Sequence, residues 1–112
     1  MIQSIKRSSL LILTPQTPLT RPYATTLMRD LEACLEMPGI RNFVLDLAEV
    51  RETDGTGLGT IVKIATEARA GGRGFYLYRP SEEALKGLRE RDLDGFFPTL
   101  EYEADLLAHL SN

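Results

Sequence analysis

Residues 54–59 read Asp-Gly-Thr-Gly-Leu-Gly (DGTGLG) and separate two apolar runs of different character. The run before them, 42–47 (NFVLDL), is short and continuously apolar, which is typical of a buried strand. The run after them has the spacing of one helix face, with apolar residues at Leu58, Ile61, Val62, Ala65 and Ala68. The sequence therefore predicts a glycine-rich strand-to-helix turn with one hydroxyl, that of Thr56, at its centre.

Strand and helix patterns alternate along the rest of the chain. Apolar strand-like runs occupy 9–13, 42–47 and 74–78, and helical spacing occupies 23–36, 58–70 and 81–91. A short extended stretch at 99–102 precedes a last helix through Leu106, Leu107 and Leu110. This alternation predicts an α/β fold, with a mostly parallel sheet, right-handed crossovers and a C-terminal helix. The turn at 48–57 is then expected at the carboxyl edge of the strands, where partners commonly bind.

Length and composition exclude several classes of protein. The chain has 112 residues, of which 43% are hydrophobic, and this predicts one globular domain over residues 1–112. The net charge is −3 and the basic residues are scattered, which argues against direct nucleic acid binding. No apolar run approaches the roughly 20 residues that span a bilayer, so we expect no membrane insertion and a cytoplasmic location. The residues do not indicate an oligomeric state.

The glycine-rich turn does not match a nucleotide-binding or catalytic motif. A dinucleotide fingerprint needs a third glycine where Thr60 stands, and a phosphate-binding loop needs a lysine that this turn lacks. A nucleophilic Thr56 would need a base, and the single histidine, His109, lies near the C-terminus. Cys34 falls on the apolar face of its helix, and no His, Cys and carboxylate cluster has metal-ligand spacing. We therefore expect no enzyme activity, no cofactor and no metal.

Helical projection of the second helix places Thr56 on the solvent side. At about 100° per residue, Thr56, Thr60, Lys63 and Glu67 form one stripe opposite the apolar face. Ile64 falls at the border of this stripe, as a large apolar side chain beside a core face that is already complete. The residues alone leave two interpretations of Thr56 open, a helix N-cap or a modification site.

Four stretches together resemble a STAS domain, in particular the bacterial anti-sigma factor antagonists. They are 46–50 (DLAEV), 54–59 (DGTGLG), the Gly71-Gly72 pair before the strand at 74–78, and 88–97 (LRERDLDGFF). The usual family motif at the strand-to-helix turn is D-S-[ST]-G-L-G, and its second hydroxyl residue matches Thr56. The resemblance covers nearly the whole chain.

The resemblance implies a phosphorylation switch at Thr56. In this family a serine/threonine kinase of GHKL type, which is also the anti-sigma factor, phosphorylates the matching residue. The unphosphorylated antagonist binds the kinase and frees a sigma factor, whereas the phosphorylated form dissociates. We expect the partner to contact the outward stripe of the second helix and the turn before it, namely Asp54, Gly55, Thr56, Thr60, Lys63, Ile64 and Glu67.

Four departures from the family pattern keep a second function open. Gly55 replaces the usual first serine, Glu52-Thr53 replaces two apolar residues, Thr20 stands where an aspartate is common, and Asp92 replaces a glycine. The alternative is a structural STAS subunit without a phosphorylation cycle, in a signalling scaffold or a membrane transport complex. Glu52, Thr53 and Thr20 favour this alternative, whereas Thr56 and the following Leu58-Gly59 favour the switch.

Overall fold

The computed structural model describes the backbone of residues 2–110 and the side chains of residues 2–108. The strands are β1 (Ile2–Arg7), β2 (Leu10–Pro15), β3 (Asn42–Asp46), β4 (Gly74–Tyr78) and β5 (Thr99–Leu100). The helices are α1 (Ala24–Leu35), α2 (Gly55–Ala70), α3 (Glu82–Glu90) and α4 (Glu103–Leu110), and a 3-10 turn at Arg21–Tyr23 leads into α1. No helix in this part of the chain has both the length and the apolar character needed to cross a membrane.

The sheet is mixed and mostly parallel, which confirms the predicted α/β class. Its spatial order is β1-β2-β3-β4-β5. The pair β1 and β2 is antiparallel, whereas β2–β3, β3–β4 and β4–β5 are parallel. The parallel strands place the turns that follow β2 and β3 at the same edge of the sheet.

The sequence pattern did not reveal strand β1. Its apolar residues, Ile2 and Ile5, are three positions apart and so lack the alternation of a half-buried strand. The strand lies at the edge of the sheet and is almost wholly exposed, which removes the need for that alternation. A reversal through Ser8, whose φ is +57°, joins it to β2.

The two faces of the sheet are covered unequally. Leu11, Leu13, Phe43, Leu45, Phe75 and Leu77 form one buried face, against which α1, α2 and α3 pack. The opposite face has a smaller cluster, in which Leu106 of α4 covers Leu10, Val44 and Tyr78. The main core therefore lies between the sheet and these three helices.

Helix boundaries agree with the sequence pattern at α1 and α3 and differ at α2. Ser81 caps α3 by accepting a hydrogen bond from the Ala84 N–H at 3.1 Å. The apolar pattern predicted that α2 starts at Leu58, but the helix begins at Gly55. Glycine is a poor helix former, so the extra turn depends on its cap.

Candidate functional site

Two neighbouring loops meet at the carboxyl edge of the sheet and hold the turn between β3 and α2. Leu19, in the loop after β2, forms a parallel bridge with Thr53. The Leu19 N–H donates to the Glu52 carbonyl at 3.0 Å, and the Asp54 N–H donates to the Leu19 carbonyl at 3.0 Å. The turn is therefore positioned by backbone hydrogen bonds to a buried segment.

Asp54 is the N-cap of α2. One carboxylate oxygen accepts from the Gly57 N–H at 2.9 Å, and the other accepts from the Arg21 N–H at 2.9 Å. The hydrogen bond from Gly57 is the main cause that lowers the pKa of Asp54, followed by the one from Arg21. The interpretation of Thr56 as the cap is therefore wrong, since Thr56 is the second residue of the helix and is exposed.

The Asp54 cap predicts a pH-dependent stability difference. Because folding lowers the pKa of Asp54, its stabilising contribution is complete above the ordinary value of 3.8 and is lost as pH falls through the lower folded value. Asp54→Asn keeps one acceptor oxygen and loses the other. Urea unfolding should show wild type more stable at pH 7, with the difference shrinking below pH 3.8. Asp94→Asn, at an exposed carboxylate, is the control. If the difference in free energy of unfolding between wild type and Asp54→Asn stayed constant with pH, the assignment of Asp54 as the N-cap would be contradicted.

Gly57 lets α2 approach the loop after β2 more closely than any other residue would. A β-carbon at position 57 would lie 1.9 Å from the carbonyl oxygen of Leu19 and 2.7 Å from the backbone nitrogen of Thr20. Both obstacles are backbone atoms of a buried segment, so they cannot move aside as a side chain could. The glycine therefore fixes the position of its neighbour, Thr56.

The third element at this edge is α3, which packs against Thr53. A β-carbon on Gly87 would lie 2.0 Å from the Thr53 hydroxyl oxygen. The half-buried Thr53 thus fills the space above a glycine of α3. Thr53, which is one of the departures from the family pattern, therefore has a role in packing against α3.

The structure exposes part of the predicted partner surface and buries two of its members. Gly55, Thr56, Lys63 and Glu67 are exposed, and Asp54 is partly exposed. The expected outward position is wrong for Ile64, which is 1% exposed, and for Thr60, which is 6% exposed. The Thr60 hydroxyl donates to the Thr56 carbonyl at 3.1 Å.

The reason for this difference is that α2 packs against two neighbours. It contacts both the sheet and α1, so its buried arc is wider than the single apolar face that the sequence suggested. The arc is centred about 50° away from the predicted centre, toward α1. Val62, which was expected in the core, is consequently only partly buried.

Two other sequence candidates, Thr20 and Cys34, add no catalytic group to this site. Thr20 is 7% exposed and supplies no charge. Burial is the main cause that raises the pKa of the Cys34 thiol, and Asp30 raises it further, so the thiol stays protonated. The side chain of His109 lies outside the described residues. Within the described residues, no group of three or more His, Cys, Asp or Glu side chains is arranged to hold a metal ion.

Sequence reasoning missed two contributors to the site, Leu19 and Arg91. The Arg91 guanidinium lies beside Gly55, with its Nε 3.1 Å from the position of a β-carbon there. Neither residue has a local sequence signal, since both reach the turn from other loops. Asp54 had such a signal, because an aspartate just before a helix is a common N-cap.

The family model and the solved structures that resemble this chain each cover nearly all of it. The family model of the STAS domain matches residues 1–105. The crystal structure of a putative anti-sigma factor antagonist from Thermotoga maritima superposes with a TM-score of 0.86 at 21% identity, covering 99% of this chain and 95% of that one. No curated protein sequence matches the chain.

Three further solved structures show how widely this fold is used. The anti-sigma factor antagonist SpoIIAA in its unphosphorylated form has a TM-score of 0.79 at 12% identity, covering 99% of this chain and 96% of that one. The Bacillus protein SpoIIAA has also been solved in its phosphorylated form, with a TM-score of 0.72 at 12% identity, covering 98% and 99%. The murine anion transporter Slc26a9 has a TM-score of 0.79 at 14% identity, covering 96% of this chain and 18% of the transporter. The family model over residues 1–105 shows that this chain belongs to the STAS domain family.

Proposed function

We propose that this chain is a regulatory binding module of the anti-sigma factor antagonist type, switched by phosphorylation at Thr56. The observation that carries the proposal is the exposed Thr56 on a turn held rigid by Asp54, Leu19 and Gly57. The partner is an anti-sigma factor kinase of GHKL type, and the module acts in the cytoplasm without a cofactor. It is not an enzyme; the kinase supplies the chemistry.

The likeness to SpoIIAA supports a phosphorylation cycle. SpoIIAA has been solved in both an unphosphorylated and a phosphorylated form, and the same fold covers this chain. At 12% identity this likeness concerns the fold, so the role of Thr56 rests on its place in the turn. Transfer would join Thr56 Oγ1 to the γ-phosphorus of ATP, break the bond to ADP and release the hydroxyl proton.

The proposed contact surface is the exposed part of α2 and its cap. It consists of Asp54, Gly55, Thr56, Lys63 and Glu67, without the buried Thr60 and Ile64. A phosphate on Thr56 adds about −1.5 to −2 charges. The surface would then repel a kinase site that already holds nucleotide phosphates, which explains release of the partner.

Incubation with the cognate kinase and ATP should place phosphate on Thr56. Thr56→Ala should abolish incorporation and still bind the kinase, because the side chain contributes the acceptor rather than most of the contact. Thr66→Ala is the matched control, since Thr66 is an exposed threonine of the same helix. Mass-spectrometric mapping that finds phosphate on another residue, with Thr56 unmodified, would refute the assignment.

A second candidate function is a structural STAS subunit of a transport complex or signalling scaffold. The observation that favours it is the same fold within the anion transporter Slc26a9, together with an uncharged, buried Thr20 beside the turn. Affinity purification from the source cells followed by mass spectrometry separates the two. Recovery of a GHKL-type kinase supports the switch, and recovery of a transport protein without one supports the subunit.

A further inference from the structure

The side chain of Arg91 lies over Gly55 at the start of α2. A β-carbon at position 55 would be 3.1 Å from Arg91 Nε, 3.4 Å from a terminal guanidinium nitrogen and 3.7 Å from the central guanidinium carbon. Arg91 follows directly on the last turn of α3 and is exposed. Its guanidinium therefore occupies the space that a side chain at position 55 would fill.

The charge of Arg91 is directed at the turn and is not used in an ion pair. In the part of the chain that the structure describes, the ion pairs are Arg51–Glu83 and Arg79–Asp46. Arg91 acts instead on Asp54, whose pKa it helps to lower, after the larger effect of the backbone hydrogen bonds. The groove beside it is balanced in charge, with Arg51, Lys86 and Arg91 against Glu52, Glu83 and Glu90.

Two backbone donors at the start of α2, the N–H groups of Gly57 and Leu58, are already engaged by Asp54. The Asp54 carboxylate accepts from the Gly57 and Arg21 N–H groups, and its carbonyl accepts from the Leu58 N–H. A phosphate on Thr56 would therefore arrive beside an ionised carboxylate whose hydrogen-bond donors are taken. A cationic side chain close by would offset the repulsion between this dianion and the Asp54 carboxylate.

Arg91 is the cation whose side chain the structure places against the residue before Thr56. Lys63 lies about two helical turns further along α2, roughly 10 Å away along the axis. Arg21 contacts the cap through its backbone N–H, which donates to Asp54 at 2.9 Å. The guanidinium of Arg91 is in contact distance of the residue directly before Thr56, and it can offer two parallel N–H donors to phosphate.

We propose that Arg91 binds the phosphate of phosphorylated Thr56 and shields it from Asp54. This inference rests on the proposed phosphorylation and adds the residue that receives the charge. It also gives Gly55 a role, because a side chain there would displace the guanidinium. The absence of a side chain at position 55 thus leaves room for the guanidinium of Arg91.

The test measures the second pKa of phosphothreonine at position 56. Phosphothreonine is installed at this position during translation, and the phosphate is titrated by phosphorus NMR in the full chain. Its ordinary second pKa is about 6. A nearby cation stabilises the dianion, so Arg91→Gln should raise this pKa by about half a unit relative to wild type. Arg91→Lys, which keeps the charge but not the paired donors, should fall between the two.

Arg89→Gln is the matched control, since it removes the same charge from an exposed residue of the last turn of α3. It should leave the phosphate pKa within about 0.1 unit of wild type. Equal shifts in Arg91→Gln and Arg89→Gln would overturn the proposal, as would a shift seen only with Arg21→Gln. Melting curves of the unphosphorylated variants confirm that each one folds.

The two proposals fail separately in these experiments. Because the phosphate is installed without a kinase, the NMR titration gives a result whether or not Thr56 is a natural acceptor. A kinase assay without incorporation at Thr56 refutes the proposed switch and leaves the titration result intact. An unshifted phosphate pKa in Arg91→Gln refutes the role of Arg91 and leaves the switch intact.

Discussion

Gly57→Ala should lower the free energy of unfolding by about 3 kcal/mol or more, at the upper end of what overpacking costs. The added methyl group would lie 1.9 Å from the Leu19 carbonyl oxygen and 2.1 Å from its carbon. To relieve this contact, α2 must move away from the loop after β2 and break the hydrogen bond from the Asp54 N–H to Leu19. The gain in helix propensity from glycine to alanine, about 1 kcal/mol, does not offset this loss.

Gly59→Ala is the matched control for this effect. Gly59 lies two residues further along the same helix, and a β-carbon there would meet no atom within 4 Å. Alanine at this position should therefore stabilise the domain, by about 0.5 to 1 kcal/mol. Urea denaturation monitored by circular dichroism measures both variants, and the two changes should have opposite sign. A Gly57→Ala protein as stable as Gly59→Ala would show that the gap between α2 and Leu19 is wider than the structure has it.

The effect of Gly57→Ala should extend to function if Thr56 is the phosphoacceptor. Displacing the first turn of α2 moves Thr56 relative to Lys63 and Glu67, which lie on the same exposed side of the helix. Any Gly57→Ala protein that remains folded should therefore be phosphorylated more slowly than wild type. Gly59→Ala should be phosphorylated at the wild-type rate.

Ile64→Glu is expected to lower the free energy of unfolding by about 3 to 5 kcal/mol. Ile64 is 1% exposed and belongs to the main core between the sheet and the helices. Glutamate there would bury an unpaired carboxylate in an apolar core, which costs several kcal/mol. The protein should melt far below wild type or fail to fold.

Lys63→Glu is the control for Ile64→Glu, because it introduces the same side chain at the adjacent exposed position. Its stability should stay within about 0.5 kcal/mol of wild type. Thermal melts of both variants compare their stability, and kinase binding is measured on the folded fraction of Ile64→Glu. An Ile64→Glu protein that melts like wild type but fails to bind the kinase would show that Ile64 belongs to the partner surface.

Local patterns were sufficient for most of the elements. The apolar runs at 42–47 and 74–78 became the central strands β3 and β4, because strands that are buried on both faces need no alternation. Helical spacing located α1 and α3 to within one residue at each end. The edge strand β1 had no such signal, since only a buried face imposes a pattern.

The sequence by itself determined the class of fold, the glycine-rich turn and the exposed hydroxyl at its centre. These features depend on residue spacings of two to four, because such spacings decide which side chains share one face of a strand or helix. Tertiary structure alone decided that Ile64 and Thr60 are buried, because α1 covers a side of α2 that a single helix projection leaves open. It also decided that Gly57 must be a glycine and that Arg91 faces the turn, since Leu19 and Arg91 come from distant loops. A sequence pattern within one segment cannot indicate a contact between that segment and a distant part of the chain.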